Sequence, residues 1–180
     1  MDNLRHRLER LHAESFGWAM CCCGRDREAA RDVLQDVYVK VLQGKARYAG
    51  EGSFKTWLFA VIRRTAQEER RRSWVRGLKL VRYWEQRKEA VVETLAPETA
   101  RLVAGLQRLP GQQREVLHLV FYEELSVAEA AQVMGVSVGT ARTHYHRAKE
   151  ALRALLGLDE NGRTNYEMGS GRTADAGAVL

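Results

Sequence analysis

The stretch from Leu125 to Leu156, LSVAEAAQVMGVSVGTARTHYHRAKEALRALL, constrains the fold more than any other part of the chain. Ser126 followed by Glu129 is a capping box, in which a hydroxyl and a carboxylate each satisfy a backbone N–H that the first helical turn leaves unpaired. Val127, Ala130, Ala131 and Met134 then repeat at helical spacing and predict a short helix that Gly135 ends. Ser137 is placed to cap a second helix with a buried stripe of Ala141, Tyr145, Ala148, Leu152 and Leu155. Its other side carries Gly139, Arg142, Thr143, His146 and Arg147, which are small, hydrogen-bonding or cationic. A short helix, a glycine turn and a longer helix with such a face read as a DNA-binding helix-turn-helix, because arginine donates two bonds to guanine in the major groove. A plain helical hairpin with solvated charges is the alternative reading of the same pattern.

A formal charge of +6 over 180 residues agrees with a polyanionic partner, and 45% hydrophobic content is enough for one ordinary domain or two small ones. The N-terminus, MDNLRHRLERLH, puts no long apolar run behind its basic residues, so neither a signal peptide nor membrane insertion is expected and a cytoplasmic location is inferred. Cys21, Cys22 and Cys23 are consecutive, which is neither a disulfide framework nor a zinc spacing, and they are read as packed, reduced thiols. No nucleophile–base pair, phosphate loop or metal-ligand spacing is present, so no catalytic residue, metal or cofactor is expected and an enzyme is the least favoured class.

Upstream, the periodicity predicts three helices. The first runs from about Leu4 to Cys23, with Leu4, Leu8, Leu11 and Trp18 as its stripe, and Gly24 ends it. The second runs from about Arg27 to Leu42 and buries Ala30, Val33, Leu34, Val37, Val41 and neighbouring Tyr38. It leaves Asp32, Gln35, Asp36, Val39 and Gln43 outside, and a valine among acids and amides favours a protein-docking surface over an acid–base pair. After the glycine-punctuated loop Gln43–Gly52, Ser53 caps the helix SFKTWLFAVIRRTAQEERRR. Phe54, Trp57, Leu58, Val61 and Ile62 share one face of it, and Lys55, Phe59, Arg63, Gln67 and Arg70 share the other. An aromatic ring among cations is what single-stranded DNA asks for, although packing against another element accounts for Phe59 equally well.

The run from Asp32 through Gln35-Asp36 to Tyr38, the segment Phe54-Lys55-Thr56-Trp57-Leu58-Phe59 and the C-terminal helix-turn-helix together resemble a bacterial extracytoplasmic function sigma factor over roughly Leu11 to Leu156. The resemblance implies an all-α fold of two small helical domains joined by a linker. It further implies core RNA polymerase and promoter DNA as partners, with an anti-sigma factor to hold the protein inactive. The first domain would dock on polymerase through Asp32, Gln35, Asp36 and Val39. It would open and read the minus-10 element through Tyr48, Lys55, Phe59, Arg63, Arg64, Gln67 and Arg70. Tyr48 would belong to a loop that shapes a pocket for a flipped base. The second domain would read the minus-35 element through Thr140, Arg142, Thr143, His146 and Arg147. Arg64 stands where members often carry asparagine, and Glu68 where they carry aspartate, so no minus-10 sequence is carried over.

The expected divisions are 1–73 and 97–158 for the domains, 74–96 for the linker and 159–180 for a disordered tail. The linker is basic at its start but holds Trp74, Leu78, Leu80, Val81, Tyr83 and Trp84, so it is expected to fold partly or to cover an apolar surface of a partner, and a helix extension packed within this protein accounts for it equally well. Pro97 and Glu98 begin the second domain; Leu102, Val103 and Leu106, then Val116, Leu117, Val120 and Phe121 after a Leu109-Pro110-Gly111 turn, are expected in its core. A stand-alone regulator binding duplex DNA as a dimer would use the same helix-turn-helix, but leaves the acidic helix and the cation-flanked Phe59 without a shared purpose.

Overall fold

The computed structural model describes residues 2–75 and 97–156, whose regular elements are all helices. The expectations for the rest of the linker and for the tail lie outside the described residues. In the N-terminal half, α1 (Asp2–Arg10) and α2 (His12–Cys22) replace the single helix expected from Leu4 to Cys23. The break falls at Leu11, at φ −96° and ψ 7°. Leu8 and Trp18 are ten residues apart and would diverge by about 80° around an unbroken helix. The break lets both turn inward, where they are 4% and 0% exposed.

Asp26 starts α3 (Arg27–Leu42) by accepting the Ala29 N–H at 2.8 Å, and α3 buries Ala30, Val33, Leu34, Val37 and Val41 as its spacing predicts. Ser53 accepts the Thr56 N–H at 3.0 Å and so caps α4, which runs from Phe54 to Val75, past the domain boundary expected at residue 73.

The C-terminal half begins with α5 (Pro97–Arg108), followed by α6 (Gly111–Leu117). One wide π turn, His118–Tyr122, leads to α7 (Val127–Met134) and α8 (Val138–Leu156). Both arms of the Ser126–Glu129 capping box are formed, Gly135 takes the left-handed φ of 64° that ends α7, and Ser137 accepts the Thr140 N–H at 3.1 Å. Two core expectations are corrected. Phe121 is 64% exposed while Leu119 is fully buried, because the π turn shifts the register by which a regular helix would have brought Phe121 inward. Leu155 is 40% exposed at the end of α8, where α5 is the neighbouring helix. The Leu102 side chain lies outside the described residues.

The two halves are not separate bodies. Helix α4 packs on α2 and α3 and also on α7. Trp18, Leu58, Phe59 and Ile62 share one core with Val116, Leu119, Leu125, Ala130, Val133 and Met134. A smaller cluster of Leu109, Leu117 and Ala148 ties α6 to α8.

Candidate nucleic-acid interface

The helix-turn-helix presents its second helix outward. Ala141 and Ala148 are buried and Tyr145 is half-buried against the core, whereas Thr140, Arg142, Thr143, His146 and Arg147 are exposed. The Thr143 hydroxyl donates to the Gly139 carbonyl at 3.0 Å, and His146 Nδ1 lies 3.3 Å from Glu150. Arg142, Thr143, His146 and Arg147 line one shallow groove with Glu150. A helix that hides alanines and shows arginines can enter a major groove without rearrangement.

The face of α4 expected to meet opened DNA is engaged within the protein at Lys55, Phe59 and Arg63. Phe59 is fully buried, stacked on Trp18 with ring centroids 5.9 Å apart, and the Trp18 indole donates to the Phe59 carbonyl at 3.0 Å. Its assignment as a base-stacking residue is therefore corrected: α4 is wrapped by apolar neighbours on more than one side, and the ring belongs to the shared core. Lys55 Nζ lies 3.0 Å from a Glu14 oxygen and 3.0 Å from a Glu123 oxygen, and donates to the Glu123 carbonyl at 3.1 Å. Arg63 pairs with Glu115 at 2.9 Å and donates to the Met134 carbonyl at 2.7 Å. Arg64 and Arg70 are exposed and Gln67 is half-buried. Burial raises the Glu123 carboxyl, but hydrogen bonds from His118 and Lys55, with their charges, bring it below its ordinary value.

At the start of α4, Tyr48 folds over Phe54 and Trp57, with centroids 5.4 and 5.5 Å away, and its hydroxyl donates to the Gly52 carbonyl. Arg7 of α1 lies over this cluster, its guanidinium carbon 3.9 Å from the Phe54 ring centroid. The outward edge of α3 exposes Asp32, Gln35 and Val39, while Asp36 is half-buried and pairs with Lys40 at 2.9 Å. The cysteines sit among apolar neighbours, and burial pushes the Cys21 thiol up to about 12 and Cys23 likewise to about 12, with Cys22 also raised.

Residues 8–76 match the family profile described as Sigma-70 region 2, and residues 99–152 match Sigma-70, region 4. RNA polymerase sigma factor YlaC of Bacillus subtilis strain 168 is 33% identical over 135 residues, covering 70% of this chain and 76% of its own length. The ECF RNA polymerase sigma factor SigX of the same strain is 27% identical, covering 86% and 84% of the two chains. The chain belongs to the extracytoplasmic function sigma factor family. Its fold matches that of sigma factor RpoE of Bartonella quintana, solved in complex with the anti-sigma factor NepR, at a TM-score of 0.69 and 21% identity over 89% of this chain and 100% of that one. CnrH, solved in complex with the cytosolic domain of CnrY, matches at 0.59 and 25% identity over 87% and 89%.

This sigma factor thus exposes its expected site residues on α8 and most of those on α3, while on α4 it engages Lys55 and Arg63 within the protein and leaves Arg64 and Arg70 exposed. Sequence reasoning missed Glu14, Glu115 and Glu123, which pair with Lys55 and Arg63 of α4, and His118, which bonds Glu123. It also missed Arg7 over the aromatic cluster. The only sequence trace of these roles was charge: Glu115 and Glu123 flank the run Val116–Tyr122.

Proposed function

We propose that this transcription initiation factor docks on core RNA polymerase through Asp32, Gln35, Asp36 and Val39 of α3, without catalysis of its own and in the cytoplasm. In this reading residues 1–73 form the domain that reads the minus-10 element, with Tyr48 in the base-pocket loop and Lys55, Arg63, Arg64, Gln67 and Arg70 along the opened strand. Residues 97–158 form the domain whose Thr140, Arg142, Thr143, His146 and Arg147 read the minus-35 element. The observation that carries the reading is a single chain exposing a cationic recognition face on α8 and an acidic, valine-centred edge on α3. A duplex-binding regulator needs the first and has no use for the second. Among the described residues no helix is long and apolar enough to cross a membrane, which is compatible with a factor that meets DNA directly. Because a structural relative was solved with an anti-sigma factor, a similar inhibitory partner is part of the proposal.

Reconstitution with purified core polymerase tests it. Asp36→Arg reverses a half-exposed charge and should abolish co-purification with core polymerase while leaving helix content unchanged. Arg147→Ala should keep co-purification and lose upstream-element preference by about 1–3 kcal/mol. Promoter-specific binding by the free chain that ignores both polymerase and Asp36→Arg would favour the stand-alone regulator.

A further inference from the structure

Two cations of α4, Lys55 and Arg63, have anionic partners in the other domain. Arg63 is held by the Glu115 carboxylate and by the Met134 carbonyl at the C-terminus of α7, where the helix dipole is negative. Lys55 is held by Glu123 of the C-terminal half and by Glu14 of α2. The Glu123 side chain is 1% exposed, and its other oxygen accepts from His118 at 3.2 Å. His118 stacks on Trp18 and Tyr122, with ring centroids 5.5 and 5.1 Å apart. The side chains of Arg63 and Glu115 are 12% and 14% exposed, so this is a desolvated pairing and not a surface ion pair.

Two carboxylates and a helix C-terminus offer these cations what a DNA backbone would offer, which is oxygen acceptors carrying negative charge. We propose that Glu115 and Glu123 are built-in substitutes for promoter phosphate, forming a latch between the domains that competes with DNA for Lys55 and Arg63. The proposal rests on the reading of Lys55 and Arg63 as DNA contacts. Closed, the chain hides the face that would meet the opened strand; open, it leaves Glu115 and Glu123 to water and frees the cations for phosphate. If the open form is about one-tenth of the free protein, unlatching raises apparent affinity about tenfold.

The test uses the full chain with a short fluorescein-labelled single-stranded DNA, together with small-angle scattering. Glu115→Gln/Glu123→Gln should bind the DNA about tenfold more tightly and show a larger radius of gyration, and adding Arg63→Gln should remove the gain in binding. A charge-matched control, Glu9→Gln/Glu28→Gln at two exposed positions, should do neither. Glu115→Gln alone provides the same comparison with the buried Glu123 left intact, and should shift both readouts in the same direction. Latch variants that behave as the control, while Arg63→Gln still impairs promoter opening by the polymerase-bound protein, would overturn the latch and leave the DNA reading in place. Promoter opening unchanged by Lys55→Gln and Arg63→Gln would remove the DNA reading, and the latch with it.

Discussion

At the level of single residues, Phe59 and Glu123 both belong to the packed contact between α4 and the C-terminal half. A fully buried aromatic ring stacked on Trp18 makes Phe59→Ala a cavity mutation, expected to cost about 3–5 kcal/mol in urea unfolding. Loss of promoter opening without loss of stability would instead mark Phe59 as a DNA contact. Glu123 predicts an acid limit. Its folded carboxyl titrates below the ordinary 4.5, so the folded chain holds the ionised form more tightly than the unfolded chain does. That stability is complete above about pH 4.5 and lost as pH falls through the folded value, and Glu123→Gln should flatten the loss in an acid titration followed by circular dichroism. The cysteines predict inertness. With Cys21 and Cys23 at about 12 in place of 9.0, their thiolate fractions near neutral pH are about a thousandfold below those of the unfolded chain, and a disulfide exchange reagent should label the native protein correspondingly slowly.

At the level of elements, what could be read in the sequence was what local chemistry decides. Ser126, Glu129, Gly135 and Ser137 act on neighbours a few residues away, so the helix-turn-helix was legible almost to its caps. Ser126→Ala should therefore cost about 1 kcal/mol through the lost cap, measurable by denaturant unfolding. The break at Leu11 was not legible, because no proline or glycine marks it and it answers to where Leu8 and Trp18 must point. Phe121 was misread for a related reason. The apolar run Leu117–Tyr122 fits a regular helix, and only the π turn determines which of its residues face inward. The second face of α4 was read as one that meets DNA because Lys55, Arg63 and Arg70 surround Phe59, although Glu123 and Glu115, which receive Lys55 and Arg63, lie more than fifty residues away in the chain.

At the level of the whole molecule, those distant acids belong to an interface that also carries apolar core, with Trp18, Leu58 and Phe59 in contact with residues of the C-terminal half. Domains that share such a core do not melt separately, since exposing either inner face removes the burial that stabilises the other. The free chain is expected to unfold in one calorimetric transition, coincident by tryptophan fluorescence and by circular dichroism. Leu119 is fully buried in the shared core on the C-terminal side, so Leu119→Asp places a charge in a dry interface and should separate the transitions or abolish folding of the C-terminal half. If docking through α3 requires the domains to part, polymerase must supply more binding free energy to the open form than the interface gives to the closed one. A variant with a weakened interface should then bind core polymerase more tightly than the parent chain, and by the same factor as its open fraction rises. Glu115→Gln is the mildest such change, and equal polymerase affinity for this variant and the parent, despite an expanded free chain, would mean that polymerase accepts the closed arrangement as it stands.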